Sequence, residues 1–202
     1  MTEKLAKTIS ILFHPVLIPS WFTLILFGSN TYIPLLIPLQ LKLVLLSMIF
    51  ITTAMFPLLF LLIMVRREIV SSFYLGKKED RIYPLGITAI FYFLSYYLMR
   101  QLPLSDAFSL FLLGSTIIVI ISLLITFFWK ISTHLMGIGG LLGGLTGLAI
   151  QLSIDLTWMI IYGLVISGLL GFARLQLNAH KPSQVYTGFL LAFFIMLLIF
   201  LV

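Results

Sequence analysis

Seven long apolar stretches divide this 202-residue chain, and they constrain its fold more than any other feature. A helix needs about 20 mostly apolar residues to cross a bilayer. The stretches cover residues 9–27, 41–65, 83–99, 107–129, 135–151, 156–172 and 183–202. They lack the period-two alternation of membrane barrel strands, so they predict helices. We therefore expect an all-α polytopic membrane protein, a bundle of six to seven transmembrane helices that forms a single domain over residues 1–202.

The amino-acid composition excludes the other classes of fold. Hydrophobic residues make up 61% of the chain and charged residues 9%, whereas soluble domains are roughly 45–50% apolar and about 25% charged. A soluble core of this size cannot bury so much apolar surface, and a disordered chain needs far more polar residues. The absence of cysteine excludes disulfides and thiolate metal sites. Function should therefore lie in the few polar residues, since each is costly inside a bilayer.

The fifth apolar stretch is rich in glycine. Gly139, Gly143 and Gly147 repeat at four-residue spacing, and Gly140 and Gly144 repeat beside them. Small residues at this spacing let a second helix approach closely. A phosphate-cradling loop is the alternative, but the Gly-Lys-Ser/Thr sequence of such loops does not follow. We expect helix packing, either within the bundle or against a second copy in a homo-oligomer.

Basic residues are concentrated on one side of the predicted bundle. Seven crossings put the N-terminus and the loops after the second, fourth and sixth helices on the same face. Ten basic residues fall on that face: Lys4, Lys7, Arg66, Arg67, Lys77, Lys78, Arg81, Lys130, Arg174 and Lys181. Lys42 and Arg100 fall on the other. The positive-inside rule favours a cytoplasmic position for the basic face, in what we expect to be a bacterial inner membrane.

Three loops on the basic face carry more than positive charge. Residues 71–85, 129–137 and 171–188 also contain hydroxyl groups, and the second and third loops contain His134 and His180. Signalling of membrane topology explains the other basic residues but not this mixture. Converging His, Arg, Lys and Ser side chains favour binding of an anion, most simply a phosphate. The remaining histidine, His14, precedes a proline and is expected to break or cap the first helix outside this site.

The third loop offers the most specific chemistry. Arg174 can hold two phosphoryl oxygens at once, and a neutral His180 can attack phosphorus. Gln184 follows His180 by one helical turn, so the two side chains share a face. His134 in the second loop is a candidate acid and base. Ser132 is a candidate donor to the phosphate, while Lys77, Lys78 and Arg81 are candidate charge partners.

Each of these residues also has an ordinary structural interpretation. Arg174 alone is more often a snorkelling anchor, and Ser132 alone could serve as a helix N-cap. A run such as Lys77 to Arg81 more often faces lipid headgroups. The hypothesis of a phosphate site rests on the coincidence of three loops on one face and the Arg-x5-His spacing.

The spacing resembles three motifs of the type 2 phosphatidic acid phosphatase superfamily, which are Lys-x6-Arg-Pro, Pro-Ser-Gly-His and Ser-Arg-x5-His-x3-Asp. Residues 173–184 keep the spacing of the third motif, with Arg174, His180 and, in place of aspartate, Gln184. Residues 131–134 match part of the second motif, and Arg81 with Pro84 loosely matches the first. The resemblance covers residues 70–202, the phosphatase-like core.

The resemblance implies a role for each matched residue. His180 is the expected nucleophile, His134 the acid, and Arg174 and Ser132 are phosphate ligands. Arg81 with Lys77 or Lys78 completes the expected phosphate site. Gln184 is expected to orient His180 but brings no negative charge, a change that costs orders of magnitude in rate in related His-carboxylate systems. No metal or other cofactor is implied, because positive side chains take that place.

These features predict a membrane-embedded phosphatase of lipid metabolism. Its substrate would be a lipid phosphomonoester or diphosphate of the phosphatidate, phosphatidylglycerophosphate or polyprenyl diphosphate type. The expected partners are this substrate and the surrounding membrane lipids, with no nucleic acid. The alternative is a non-catalytic relative that binds lipid phosphate or scaffolds a membrane complex. Members of the family usually work at the outer face, whereas the charge count favours the cytoplasmic face, and both orientations stay open.

Overall fold

The computed structural model describes residues 1–73, 75–102 and 104–202, which are helical with no β-strand in those ranges. The α-helices are α1 Glu3–Leu12, α2 Ile18–Phe27, α3 Tyr32–Leu35, α4 Leu39–Phe50, α5 Phe56–Arg66, α6 Ile82–Arg100, α7 Asp106–Thr126, α8 Thr133–Leu152, α9 Thr157–Gln176 and α10 Pro182–Leu201. A π-helical turn, Ile51–Met55, joins α4 to α5, and 3-10 turns, Pro15–Leu17 and Glu79–Arg81, precede α2 and α6. This confirms the predicted all-α fold.

Seven helical stretches of the described chain are long and apolar enough to cross a membrane. They are Glu3–Phe27, Leu39–Arg66, Glu79–Arg100, Asp106–Thr126, Thr133–Leu152, Thr157–Gln176 and Pro182–Leu201. The protein is therefore an integral membrane protein with a polytopic helical bundle. The seven stretches correspond one to one with the apolar stretches of the sequence.

Three boundaries differ from the hydropathy pattern in ways that shape the basic face. The first span breaks between Leu12 and Pro15, because proline lacks the N–H that a continuous helix needs. The fourth membrane span, α7, ends at Thr126, three residues before the apolar stretch of the sequence ends, so the chain turns earlier than predicted. The sixth membrane span, α9, continues to Gln176, which makes Arg174 a residue of its last turn and not of a loop.

Helices α8 and α10 form the tightest contact of the bundle, and the glycines of α8 explain it. A Cβ atom added to Gly139 would lie 2.3 Å from the carbonyl oxygen of Phe189, and one added to Gly143 would lie 2.3 Å from that of Phe193. At Gly147 the added atom would meet the Phe200 side chain at 2.5 Å. The glycines therefore lie in a helix and pack within the chain itself, so a homo-oligomer would need another surface.

Contacts among the basic loops bring their ends together. Arg81 Nη1 donates to the carbonyl oxygen of Ile131 at 3.1 Å, which joins the first loop to the second. The backbone N–H of Ser132 donates to the carbonyl oxygen of Gln184 at 3.3 Å, which joins the second loop to the start of α10. The N-terminal helix reaches the same face, because the Gln176 side-chain amide donates to the carbonyl oxygen of Met1.

Candidate functional site

A cavity of about 770 Å³ lies on the other side of α8, between this helix and α1, α5, α6, α7 and α9. Its polar end is lined by four cations, Lys7, Arg81, Lys130 and Arg174, and by two histidines, His14 and His134. From there it extends along the apolar sides of the helices into the bundle. The cavity therefore combines a cationic end at the basic face with an apolar body.

Arg81 is fixed in place by the backbone around it. It ends the 3-10 turn before α6 and is only 6% exposed. Its Nε donates to the carbonyl oxygen of Leu75 at 3.0 Å, and its Nη1 donates to that of Ile131 at 3.1 Å. Neutral carbonyls orient the guanidinium without cancelling its charge, so its field is directed into the cavity.

Arg174 and Lys130 add two further charges without acidic partners. Arg174 makes no hydrogen bond or ion pair within the part of the chain that the structure describes, and its Nε is buried without a partner. Burial, together with the charges of Arg81 and Arg174, lowers the pKa of Lys130. Glu3 is the acidic residue that lines the cavity, and it pairs with Lys7 at 2.7 Å. An anion entering here would meet uncompensated positive charge.

The environment of His180 fixes its tautomer. Gln184 Oε1 accepts a hydrogen bond from the Lys181 backbone N–H at 3.0 Å. It lies 3.2 Å from His180 Nδ1. Because the atom facing a backbone N–H must be an acceptor, the adjoining ring nitrogen must carry the proton and donate. The lone pair of His180 is therefore on Nε2, which is buried without a partner.

His180 is also held in its neutral form. Burial lowers its pKa to about 3, assisted by the positive charges of Arg81 and Arg174 and opposed by the hydrogen bond with Gln184. An imidazole that is neutral at physiological pH keeps its lone pair available for attack. This environment meets one requirement for a nucleophile without a carboxylate behind the ring.

His134 has the opposite arrangement of its nitrogens. Its Nε2 lies 3.1 Å from the carbonyl oxygen of Ser10, and a carbonyl oxygen only accepts, so Nε2 carries the proton. Nδ1 is then the atom that can take up and release a second proton. The ring packs edge-on against His14, with ring centroids 5.2 Å apart. The N-terminal helix thus orients the histidine at the start of α8.

Ser132 precedes α8 at the N-cap position, but its hydroxyl does not cap the helix. The residue is fully buried, and Oγ has no hydrogen-bond partner among the described residues. Its backbone N–H binds the Gln184 carbonyl oxygen. The expected alternative, a capping serine, is therefore not what the structure has, and the hydroxyl is free to donate to something else.

Buried polar atoms without partners concentrate in this region. Most buried polar groups in proteins are hydrogen-bonded, so each exception calls for an explanation. Across the described residues such atoms are His14 Nδ1, Ser20 Oγ, Ser122 Oγ, Ser132 Oγ, Arg174 Nε and His180 Nε2. Apart from Ser20, each belongs to a residue that lines the cavity or lies in the second and third loops beside it. A ligand with several oxygen atoms would supply acceptors for the donors among them.

The predicted site residues divide into three groups. Arg81, His134 and Arg174 line the cavity. His180 and Ser132 are buried beside its cationic end without lining it, and Gln184 lies behind His180. Lys77 is exposed and Lys78 donates to the carbonyl oxygen of Phe127 at 3.0 Å, so neither lysine lines the cavity.

Two residues of the cavity were missed by sequence reasoning. Lys130 occupies the place that was expected for Lys77 or Lys78, because the chain turns at the end of α7 and carries it inward. His14 was expected outside the site, but it lines the cavity in the structure. The break at Pro15 is where predicted, but it leaves His14 against His134. The one sequence feature that could have indicated this position is Pro15, because a proline directly after His14 predicts a break at which the chain changes direction.

The described residues contain no group of three or more His, Asp or Glu side chains that could hold a metal ion. Comparison of the chain with protein-family models, curated proteins and solved structures finds no significant match.

Proposed function

We propose that this protein is a membrane-embedded phosphatase that removes phosphate from a lipid phosphomonoester or diphosphate. The phosphate would lie at the cationic end of the cavity, among Arg81, Lys130 and Arg174, and the lipid chain would follow the apolar body. We further propose a bacterial inner membrane as its location, with the basic face in the cytoplasm, because ten of the twelve basic residues fall on that face. The phosphatidate, phosphatidylglycerophosphate and polyprenyl diphosphate types all remain candidate substrates at this step.

The observation that carries the proposal is the set of unpartnered polar atoms beside uncompensated charge. Arg174 Nε, Ser132 Oγ and His180 Nε2 are each buried without a partner in the described chain. Two of them donate, and the third offers a lone pair. A phosphoryl group has oxygens to accept from the donors and an electrophilic phosphorus for the lone pair, so one ligand satisfies all three.

The proposed reaction has two displacements at phosphorus. In the first, Nε2 of His180 forms a bond to phosphorus, the bond from phosphorus to the lipid oxygen breaks, and His134 protonates the departing oxygen. In the second, His134 takes a proton from water, whose oxygen attacks phosphorus while the bond to His180 breaks. Orthophosphate leaves and both histidines return to their starting forms.

The cations stabilise the charge that develops on the phosphoryl oxygens. Arg81 is held by two backbone carbonyls, so it needs no reorganisation when the reaction occurs. In this mechanism His134 carries a second proton, on Nδ1, when it acts as the acid.

The test is the release of orthophosphate by purified protein in detergent, with a chelator present. The lipids are a diacylglycerol phosphate, a phosphatidylglycerophosphate and a polyprenyl diphosphate. We expect wild type to release phosphate from at least one lipid and His180→Ala to lose this activity by about a thousandfold or more. Lys181→Ala, an exposed neighbour, is the matched control and should retain it. Equal activity of His180→Ala and wild type would overturn the mechanism.

A non-catalytic protein that binds lipid phosphate is the second candidate, and Gln184 favours it. The residue behind His180 is neutral, so nothing balances the positive charge that the ring acquires on attack. If wild type releases no phosphate from any lipid but binds one, and Arg174→Ala weakens this binding, the binding function replaces the catalytic one.

A further inference from the structure

Two hydroxyl groups of α7, those of Ser115 and Ser122, line the apolar body of the cavity without bonding to their own helix, and Ser122 is the more deeply buried of the two. Ser122 of α7 lines the cavity and is only 2% exposed. Its Oγ is buried and has no hydrogen-bond partner among the described residues. The surrounding wall includes Pro57, Leu61 and Ile118, which offer no polar atoms from their side chains.

Neighbouring hydroxyls show what Ser122 would do if it had only a structural role. Thr116 donates to the Leu112 carbonyl oxygen at 2.8 Å, and Thr126 donates to the Ser122 carbonyl oxygen at 2.7 Å, each one turn back along α7. Across the cavity, Thr88 does the same with Pro84 at 2.7 Å. Bonding to the preceding turn is the usual solution for Ser and Thr in apolar surroundings. Ser122 lacks this bond, so its hydroxyl can serve a ligand.

Ser122 also lies at an informative depth. Four residues separate it from the end of α7 at Thr126, a rise of about 6 Å along the helix. The chain then turns towards Lys130 at the cationic end of the cavity. A group that binds Ser122 would therefore sit just inside the bilayer from a phosphate held by Lys130 and the two arginines.

We propose that Ser122 is a specificity-determining residue whose hydroxyl donates to an ester carbonyl of an acylated glycerol phosphate. In such a lipid the ester groups follow the phosphate after only the glycerol carbons, so one carbonyl reaches the depth of Ser122. A prenyl phosphate has hydrocarbon at that position and would leave the hydroxyl unsatisfied. The inference rests on the proposed function and selects the glycerolipid class from its candidate substrates.

The experiment compares two lipids that differ only in the carbonyls. A diacylglycerol phosphate and a dialkylglycerol phosphate of equal chain length compete with a fluorescent diacylglycerol phosphate for wild type, Ser122→Ala and Ser109→Ala. Farnesyl phosphate is the third competitor. Ser109 is on the same helix, and its hydroxyl donates to the Asp106 carbonyl oxygen at 3.0 Å, so it is a matched control. Orthophosphate release is measured in parallel on each protein.

We expect wild type and Ser109→Ala to bind the ester lipid about two- to tenfold more tightly than the ether lipid, the range of one neutral hydrogen bond. Ser122→Ala should bind the two lipids alike, with an unchanged melting temperature. Three results would overturn the inference. Wild type could bind the ester and ether lipids equally, Ser122→Ala could keep the preference for the ester lipid, or wild type could prefer farnesyl phosphate.

Failure of this inference can be told apart from failure of the proposed function. If the protein prefers the ester lipid through Ser122 but releases no phosphate, the inference is supported and the proposed catalytic function is rejected. If the protein releases phosphate but shows no preference for the ester lipid, the inference is rejected and the proposed catalytic function is supported. Absence of binding by all three lipids overturns both.

Discussion

The two sides of α8 are built in opposite ways. On one side, Gly139 and Gly143 let the backbone of α10 approach so closely that no side chain fits between the helices. On the other side, the same helix borders a cavity of about 770 Å³ with cations and unpartnered polar atoms. One helix therefore provides both a sealed contact and the wall of an open site.

The difference shows how a small bundle can hold buried polar groups in fixed positions. The α8–α10 contact sets the distance between the start of α8, with Ser132 and His134, and the start of α10, next to His180. Gly188 continues this contact, because a Cβ atom there would lie 3.0 Å from the carbonyl oxygen of Ser132. The tight packing on one side thus fixes His134, which lines the cavity, and Ser132 and His180, which are buried beside its cationic end.

The first prediction concerns the open side and uses Arg174→Met. The substitution removes a cation that we place on the phosphate, so phosphate release should fall by about 10²- to 10³-fold, as for a lost transition-state donor. Stability should not fall, because Arg174 has no hydrogen bond or ion pair in the described chain and a buried unpaired charge is itself costly. Enzyme kinetics and a thermal melt of the same preparation measure the two effects.

The test is sharp because activity should fall while stability should not. Arg66→Met, at the exposed end of α5 on the same face, is the control and should change neither quantity much. A merely structural Arg174 would show a lower melting temperature together with any loss of activity. That result would argue against a phosphate ligand.

The fold of this chain was predictable because a lipid bilayer requires long, continuous apolar helices in the chain that spans it. The spacing also predicted that Gln184 lies beside His180, and the two side chains are 3.2 Å apart, although His180 precedes the N-cap Lys181 and is not part of α10. The positions of Lys130 and His14 were not predictable, because each depends on how a turn redirects the chain. The end of α7 and the break before Pro15 are local changes of chain direction that move distant residues into the cavity. Hydrophobic periodicity carries no information about such changes of direction.

A second prediction concerns the sealed side and uses Gly143→Ala. The added methyl group would lie 2.3 Å from the Phe193 carbonyl oxygen, so the backbones of α8 and α10 must separate. Overpacking of this kind costs about 1–3 kcal/mol, and a thermal melt should show the lower midpoint. Gly168→Ala is the matched control, since no atom lies within 4 Å of its added Cβ, and its midpoint should not fall. Equal melting of the two variants would mean that the contact is not tight in solution.

A third prediction concerns the response of stability to pH, and it tests whether His180 is buried as a neutral ring. Burial and nearby cations lower its pKa from 6.5 to about 3 in the folded protein. Above pH about 6.5 the ring is neutral in both states and contributes no pH dependence. Between about pH 6.5 and 3 the unfolded chain takes up a proton that the folded protein refuses, so stability falls as the pH falls.

The comparison that isolates this effect is wild type against His180→Gln, melted at pH 7 and pH 4. His14 and His134 are present in both proteins, so the difference between the two pH responses belongs to His180 to a first approximation. We expect the melting temperature of wild type to drop further than that of the variant, on the order of 2–4 °C for each kcal/mol of lost stability. Parallel pH responses would show that His180 is solvated, and the cavity side of α8 would then lack the desolvated nucleophile that separates it from the sealed side.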